Sequence, residues 1–191
     1  MKTPILTPQE RTAWIKSKSE EYGFLGVGIA KADFLEDEAE RLKDWLMRGY
    51  QGKMSYMENH FDKRTDPRKL VEDAKSVICF AYNYYPEPID KADNLKIARY
   101  AYGRDYHKVL KKKLIKLFEE MQTTFGPVSG RCFVDSAPVM EREWALRAGL
   151  GWIGKNTLII HPKKGSYFFF CLLYTSPSPR DQRGYRMPSS A

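Results

Sequence analysis

Residues 131–161 gather an acid, a cation and an imidazole, Asp135, Lys155 and His161, around a run of glycines. A positioned carboxylic acid can hand a proton to a departing oxygen, and a lysine ammonium can pair with an oxygen-rich ligand. The elements around them read as a short apolar strand (Cys132, Phe133, Val134) that ends at Asp135, then a helix opened by Pro138. A glycine-rich turn with Trp152 and Lys155 follows, and then a second strand over residues 157–160. This order points Lys155 back at the edge that carries Asp135. A second reading stays open, because Asp135 and Ser136 also stand where a helix takes its N-cap and Pro138 suits a first helical turn.

Gly149, Gly151, Gly154 and Lys155 satisfy both G-x-G-x-x-G and the G-x-x-x-x-G-K part of a phosphate loop. Context excludes both. Those loops follow a strand and open a helix, so that helix N–H groups meet the phosphates, whereas this run follows a helix and leads into a strand. Asn156 also stands where a phosphate loop needs Ser or Thr. The spacing instead predicts that Gly149 closes the helix in a left-handed conformation.

Phe133-Val-Asp-Ser-Ala-Pro138, the helix after it, Ala148-Gly-Leu-Gly-Trp-Ile-Gly-Lys-Asn156 and Gly165-Ser-Tyr-Phe-Phe169 together resemble the epoxyqueuosine reductases. Arg99-Tyr-Ala-Tyr-Gly-Arg-Asp-Tyr-His107 and Lys63-Arg-Thr-Asp-Pro67 match the same family in the same order, so the resemblance runs over about residues 8–170. It implies a cobalamin-dependent iron–sulfur oxidoreductase that reduces epoxyqueuosine to queuosine in tRNA, the last step of queuosine biosynthesis. It implies Asp135 as the proton donor beside cobalamin, and Arg64, Asp135, Lys155, Ile159 and His161 as cofactor contacts. The implied partners are tRNA carrying epoxyqueuosine and an external electron donor. Two [4Fe-4S] clusters belong to the family, but Cys79, Cys132 and Cys171 form no C-x-x-C pair and supply no cluster ligand set, so no metal ligand is expected in this chain. Asp105-Tyr-His107 resembles the D-x-H-x-x-G pattern that brings histidine to cobalt, yet Leu110 stands in the glycine's place and the match fails. His107 is therefore expected on the structural or substrate side.

Composition sets the frame for these residues. At 191 residues, 42% hydrophobic and 14% aromatic, the chain is expected to be one α/β domain, a central sheet flanked by helices. No stretch approaches eighteen consecutive apolar residues and the start has no signal-peptide core, so a cytoplasmic, membrane-free monomer is expected. The formal charge of +8 suits a polyanion such as tRNA and equally a solvated basic surface.

Along the chain, Thr7 and Pro8 predict a capped helix ended by Gly23, followed by a strand over 24–30 and a helix over 33–47 whose Leu42, Trp45 and Leu46 face the core. A short helix ends near His60, and Lys63, Arg64 and Arg68 read as a basic loop. Residues 76–85 are the clearest strand, a continuous apolar run of the kind buried in a sheet's centre. Residues 89–96 read as a polar loop. A long helix from Asp105 to about Thr124 buries Leu110, Leu114, Leu117, Phe118 and Met121 at three-and-four spacing.

After Phe170 the resemblance stops and three prolines enter. Residues 1–170 are read as the cobalamin-binding catalytic domain, truncated before the ferredoxin-like segment and inactive alone, and 171–191 as a non-native tail that does not pack from about 172 onward. The alternative is a cobalamin carrier or processing protein without redox clusters.

Overall fold

The computed structural model describes residues 6–85 and 97–176. The expected polar loop over 89–96 lies outside them.

The first helix, α1 (Pro8–Glu21), starts where its sequence says it should. Thr7 Oγ1 accepts from the Glu10 N–H at 3.3 Å, and Glu10 Oε2 accepts from the Thr7 N–H at 2.7 Å, so two otherwise unpaired donors are satisfied reciprocally. Strand β1 (Gly26–Lys31) and helix α2 (Glu36–Met47) follow, then a short helix α3 (Phe61–Thr65). Lys63 and Arg64 therefore stand on a helical turn and not in a loop, and His60, at φ 60°, precedes that turn. Strand β2 (Ser76–Asn83), helix α4 (Tyr106–Phe125), strand β3 (Ser129–Phe133), helix α5 (Glu141–Arg147), the two-residue strands β4 (Trp152–Ile153) and β5 (Ile159–Ile160), and strand β6 (Phe168–Ser176) complete the order.

The main sheet has the order β1-β2-β6-β3 and is antiparallel throughout. Side chains alternate across it, as the two-residue strand period requires. Val77, Cys79, Ala81, Leu172 and Tyr174 face one layer with Phe133, Trp144, Ala145 and Leu150, and Ile159 joins this core. Ile78, Phe80, Cys171 and Leu173 face the other, where Ile15 of α1 and Leu110, Leu114, Leu117 and Met121 of α4 cover them. The expected α/β domain with helices on a central sheet is thus the one formed, with α5 on one face and α1 and α4 on the other.

Two expectations are corrected. The helix after Pro138 begins at Glu141, its N-cap is Met140, and no side chain caps it, so neither Asp135 nor Ser136 is an N-cap. The second correction concerns the tail. The boundary set after Phe170 falls inside β6, an interior strand in which Leu172, Leu173, Tyr174 and Thr175 are buried; packing continues to Ser176 because alternating apolar side chains fill both layers. Residues 177–191 lie outside the described residues.

Helix α5 lies very close to β1. A Cβ at Gly28 would stand 2.1 Å from the Ala148 carbonyl oxygen, a main-chain atom that cannot swing aside. Gly28→Ala is expected to cost about 2–3 kcal/mol by forcing α5 off the sheet. Chemical unfolding of both proteins measures this, and an unchanged midpoint would show that α5 yields freely.

Candidate functional site

The site forms where β3 runs out. Val134 is still buried, and the chain then turns through Asp135, whose φ is 48°. Aspartate tolerates this left-handed conformation better than most residues because its short polar side chain can bond locally. The turn exposes the Asp135 carboxyl, with 58% of the side chain accessible, while its main-chain N–H donates to Glu141 Oε1 at 3.1 Å.

The start of α4 approaches from the other side. Asp105 accepts the His107 N–H at 3.0 Å and so caps the helix, which fixes Tyr106 and His107 in its first turn. The Tyr106 hydroxyl donates to Asp135 Oδ2 at 2.5 Å. Its ring lies flat on Phe169, with centroids 3.8 Å apart and planes 8° from parallel, so β6 sets the angle of the phenol. Burial first, and then the bond to Asp135, push the Tyr106 hydroxyl well above the usual tyrosine range and keep it a donor. His107 Nε2 stands 3.6 Å from Asp135 Oδ2, and its Nδ1 lies 3.1 Å from Asp105 Oδ1. His107 thus stands beside the acid.

A cavity of about 490 Å³ opens next to this turn, lined by Arg64, Met57, Val139, Glu141, Ile153 and Thr157 among others. Arg64 donates through Nη2 to the Tyr56 carbonyl at 3.2 Å, but its Nε is buried without a hydrogen-bond partner among the described residues. A buried donor left unpaired is costly, and a ligand oxygen at this wall would satisfy it. Arg142 Nη1 donates to the Thr157 carbonyl at 2.7 Å and ties α5 to the turn between β4 and β5. Ile153 lines the cavity from that hairpin, on which Trp152 and Leu158 also remain 49% and 43% exposed.

Of the expected contact residues, Arg64 lies in the cavity wall, and Asp135 reaches that wall through Glu141. Lys155 is exposed in the turn between β4 and β5, away from the cavity lining. Ile159 is 2% exposed and packs in the core, and its strand partner Ile153 faces the cavity. His161 pairs with Gly165, and its Nδ1 accepts the Lys163 N–H at 3.2 Å. Gly149, at φ 76°, closes α5 as its position predicts, and the glycine run leads into β4. Among the described residues no group of three or more His, Cys, Asp or Glu side chains is placed to hold a metal ion. Burial raises all three thiols, Cys132 to about 11.

Tyr106 and Glu141 were not anticipated. Tyr106 acts across 29 residues of sequence, which local patterning does not reveal. Glu141 looks like an ordinary first-turn acid; the apolar residues before it, Val139 and Met140, are the signal that its side chain starts from a packed position. Burial first, and then the nearby Asp135 charge, push the Glu141 carboxyl up to about 7, against the Asp135 N–H and Arg142, which lower it. A carboxyl raised on folding makes the native state bind the extra proton, so this group favours folding least once it ionises. Wild type should therefore lose up to about 3 kcal/mol relative to Glu141→Gln as pH rises from about 4.5 to 7. Urea unfolding of both at pH 5 and pH 8 measures the change; a difference that stays constant with pH would contradict it.

The family described as epoxyqueuosine reductase QueG, DUF1730, matches residues 64–136, which include Arg64, Tyr106, His107 and Asp135. An epoxyqueuosine reductase of Leadbetterella byssophila is 60% identical over 83% of this chain, and one of Cyclobacterium marinum is 51% identical over 93% of it. Over the stretch it shares with them, the chain is similar to epoxyqueuosine reductases in sequence and in fold. It spans 53% and 60% of those two relatives' lengths.

Solved epoxyqueuosine reductases have the same fold. One, in complex with a tRNA-Tyr epoxyqueuosine-modified stem loop, is 26% identical, with a TM-score of 0.79 over 91% of this chain and 47% of its own. Another, from Bacillus subtilis, has its catalytic aspartate loop swung out of the active site; it is 25% identical, with a TM-score of 0.78 over 91% of this chain and 46% of its own. A reductive dehalogenase whose structure suggests a mechanism for B12-dependent dehalogenation shares the fold alone, at 14% identity and a TM-score of 0.52 over 90% of this chain and 20% of its own. No helix among the described residues is long and apolar enough to cross a membrane.

Proposed function

We propose that this chain is the cobalamin-binding, proton-donating part of a cytoplasmic enzyme that reduces epoxyqueuosine to queuosine in tRNA, with Asp135 as the proton donor. The observation that carries this reading is the Asp135 carboxyl, exposed on a left-handed turn and held by the Tyr106 hydroxyl at 2.5 Å beside the Arg64 cavity. Bound cobalamin would supply a strongly reducing cobalt centre, fed with electrons from the family's iron–sulfur clusters and an external donor.

The chain's own residues then do the rest. Arg64 would offer its unpaired Nε–H to a carboxamide or phosphate oxygen of the cofactor, and the exposed Trp152, Ile153 and Leu158 would cover its apolar surface. Lys155 and His161, on and after the same hairpin, would complete the contact from that side, while the buried Ile159 would hold its strand partner Ile153 in place. Asp135, protonated, would give its proton to the epoxide oxygen as the C–O bond breaks. Tyr106 and His107 would hold the carboxyl in place, Tyr106 through the bond its hydroxyl donates to Oδ2. A cobalamin carrier would need the Arg64 wall but has no use for an acid held by a tyrosine, which favours the reductase.

Titration of the purified protein with cobalamin, followed in the visible spectrum, tests the reading. Saturable spectral change is expected, and Arg64→Met should weaken it. Loss of a hydrogen bond to a charged group costs about 1.5–3 kcal/mol, or roughly ten- to 150-fold in affinity. No spectral change with wild-type protein would remove cobalamin from the proposal, and equal affinities would remove Arg64.

A further inference from the structure

The turn that presents Asp135 is anchored from below by a group that the proton transfer does not use. Glu141 is the first residue of α5, yet its carboxyl does not serve its own helix: Oε1 reaches back six residues to accept the Asp135 main-chain N–H at 3.1 Å. The neighbouring Arg142 points elsewhere, to the Thr157 carbonyl. A carboxyl drawn into a protein wall loses hydration and is tolerated there only where donors replace the water, and the Asp135 N–H is the donor provided. In return the acceptor selects one backbone conformation. Asp135 must keep φ near 48° for its N–H to face inward to Glu141 while its side chain faces outward to Tyr106.

We propose that Glu141 is a positioning residue, whose carboxyl fixes the left-handed turn that aims the Asp135 carboxyl at the reacting oxygen. The hydrogen bond itself is independent of any activity; its consequence for turnover rests on the proposed role of Asp135. Glu141 also lines the Arg64 cavity, so a ligand there packs directly against the anchor of the acid. Glu141→Gln keeps an acceptor oxygen of the same reach and should preserve the turn. Glu141→Met keeps the volume, removes the acceptor and should release it.

Amide hydrogen exchange at Asp135, without cofactor or substrate, is the first measurement. In wild type this amide should exchange about tenfold or more slowly than an unprotected amide, a local opening free energy set by one hydrogen bond. Glu141→Met should lose that protection and Glu141→Gln should retain most of it. An unprotected Asp135 amide in wild type overturns the proposal even if Glu141→Met proves unable to fold, as does protection that survives in Glu141→Met. The second measurement, made in the full-length enzyme, is single-turnover reduction of epoxyqueuosine-containing tRNA with prereduced cobalamin. Here Glu141→Met should fall about tenfold or more and Glu141→Gln should recover. Equal losses in both variants would assign Glu141 to another role. Protected exchange together with an inactive wild type would leave the anchor standing and sink the reductase reading instead.

Discussion

In the full-length enzyme, Asp135→Asn is expected to lower single-turnover epoxide reduction by about a hundredfold to ten-thousandfold, the range typical for loss of a general acid. The fold and cobalamin binding should be unchanged. Asparagine has the same size, tolerates the left-handed turn at φ 48°, and can still accept the Tyr106 hydroxyl through its amide oxygen. It keeps the main-chain N–H that Glu141 holds. What it lacks is a proton to release. Had Asp135 been a helix cap, the cost would appear as about 1 kcal/mol of stability, but α5 starts at Glu141 and carries no side-chain cap. The measurement is conversion of epoxyqueuosine-containing tRNA with prereduced cobalamin, with the melting temperature recorded alongside. Near-normal turnover would leave the proton donor to be sought elsewhere, with His107, 3.6 Å from Asp135 Oδ2, the first residue to substitute.

Ending the chain after Phe170 should abolish cooperative folding, whereas ending it after Ser176 should not. The shorter chain loses Leu172, Leu173 and Tyr174, all essentially inaccessible to solvent, and with them the whole stretch of β6 that pairs with β3. Each buried leucine contributes about 1.5–3 kcal/mol against a total stability of about 5–15 kcal/mol, before any ladder hydrogen bond is counted. Circular dichroism and urea unfolding of the two versions decide the matter. A sigmoidal transition in the shorter one would mean that β3 can dock on β2 unaided.

The contrast between these two regions shows what local sequence carries. The α1 cap, the α4 stripe, the β2 run and the Gly149 closure were legible because each is a local pattern with a direct physical cause. The last turns of β6 were not, because the prolines beyond Ser176 and the end of the family resemblance drew attention from Cys171-Leu-Leu-Tyr174, which continues the alternation begun at Phe168. Asp135 was legible as an acid at a strand's end, but its backbone was not: strand, acid and proline describe an N-cap as well as a left-handed turn. Tyr106 and Glu141 depend on tertiary contact, and the cavity wall at Arg64 on α3, a helix too short for periodicity to reveal.

The place of β6 also governs the order in which the molecule can be made. Synthesis delivers β1 and β2 early, and they can pair at once, but Ser76 of β2 waits for Thr175, and the sheet neighbour of β3 among the described residues is β6. Until β6 leaves the ribosome, the nascent chain carries the β2 and β3 edges that β6 covers in the finished sheet, the kind of surface on which chains pair with one another. Pairing across so long a stretch is slow, because loop-closure entropy must be overcome first. Recovery of soluble protein should therefore depend on growth temperature and chaperone supply while β6 is being delivered more than on the stability of the folded sheet.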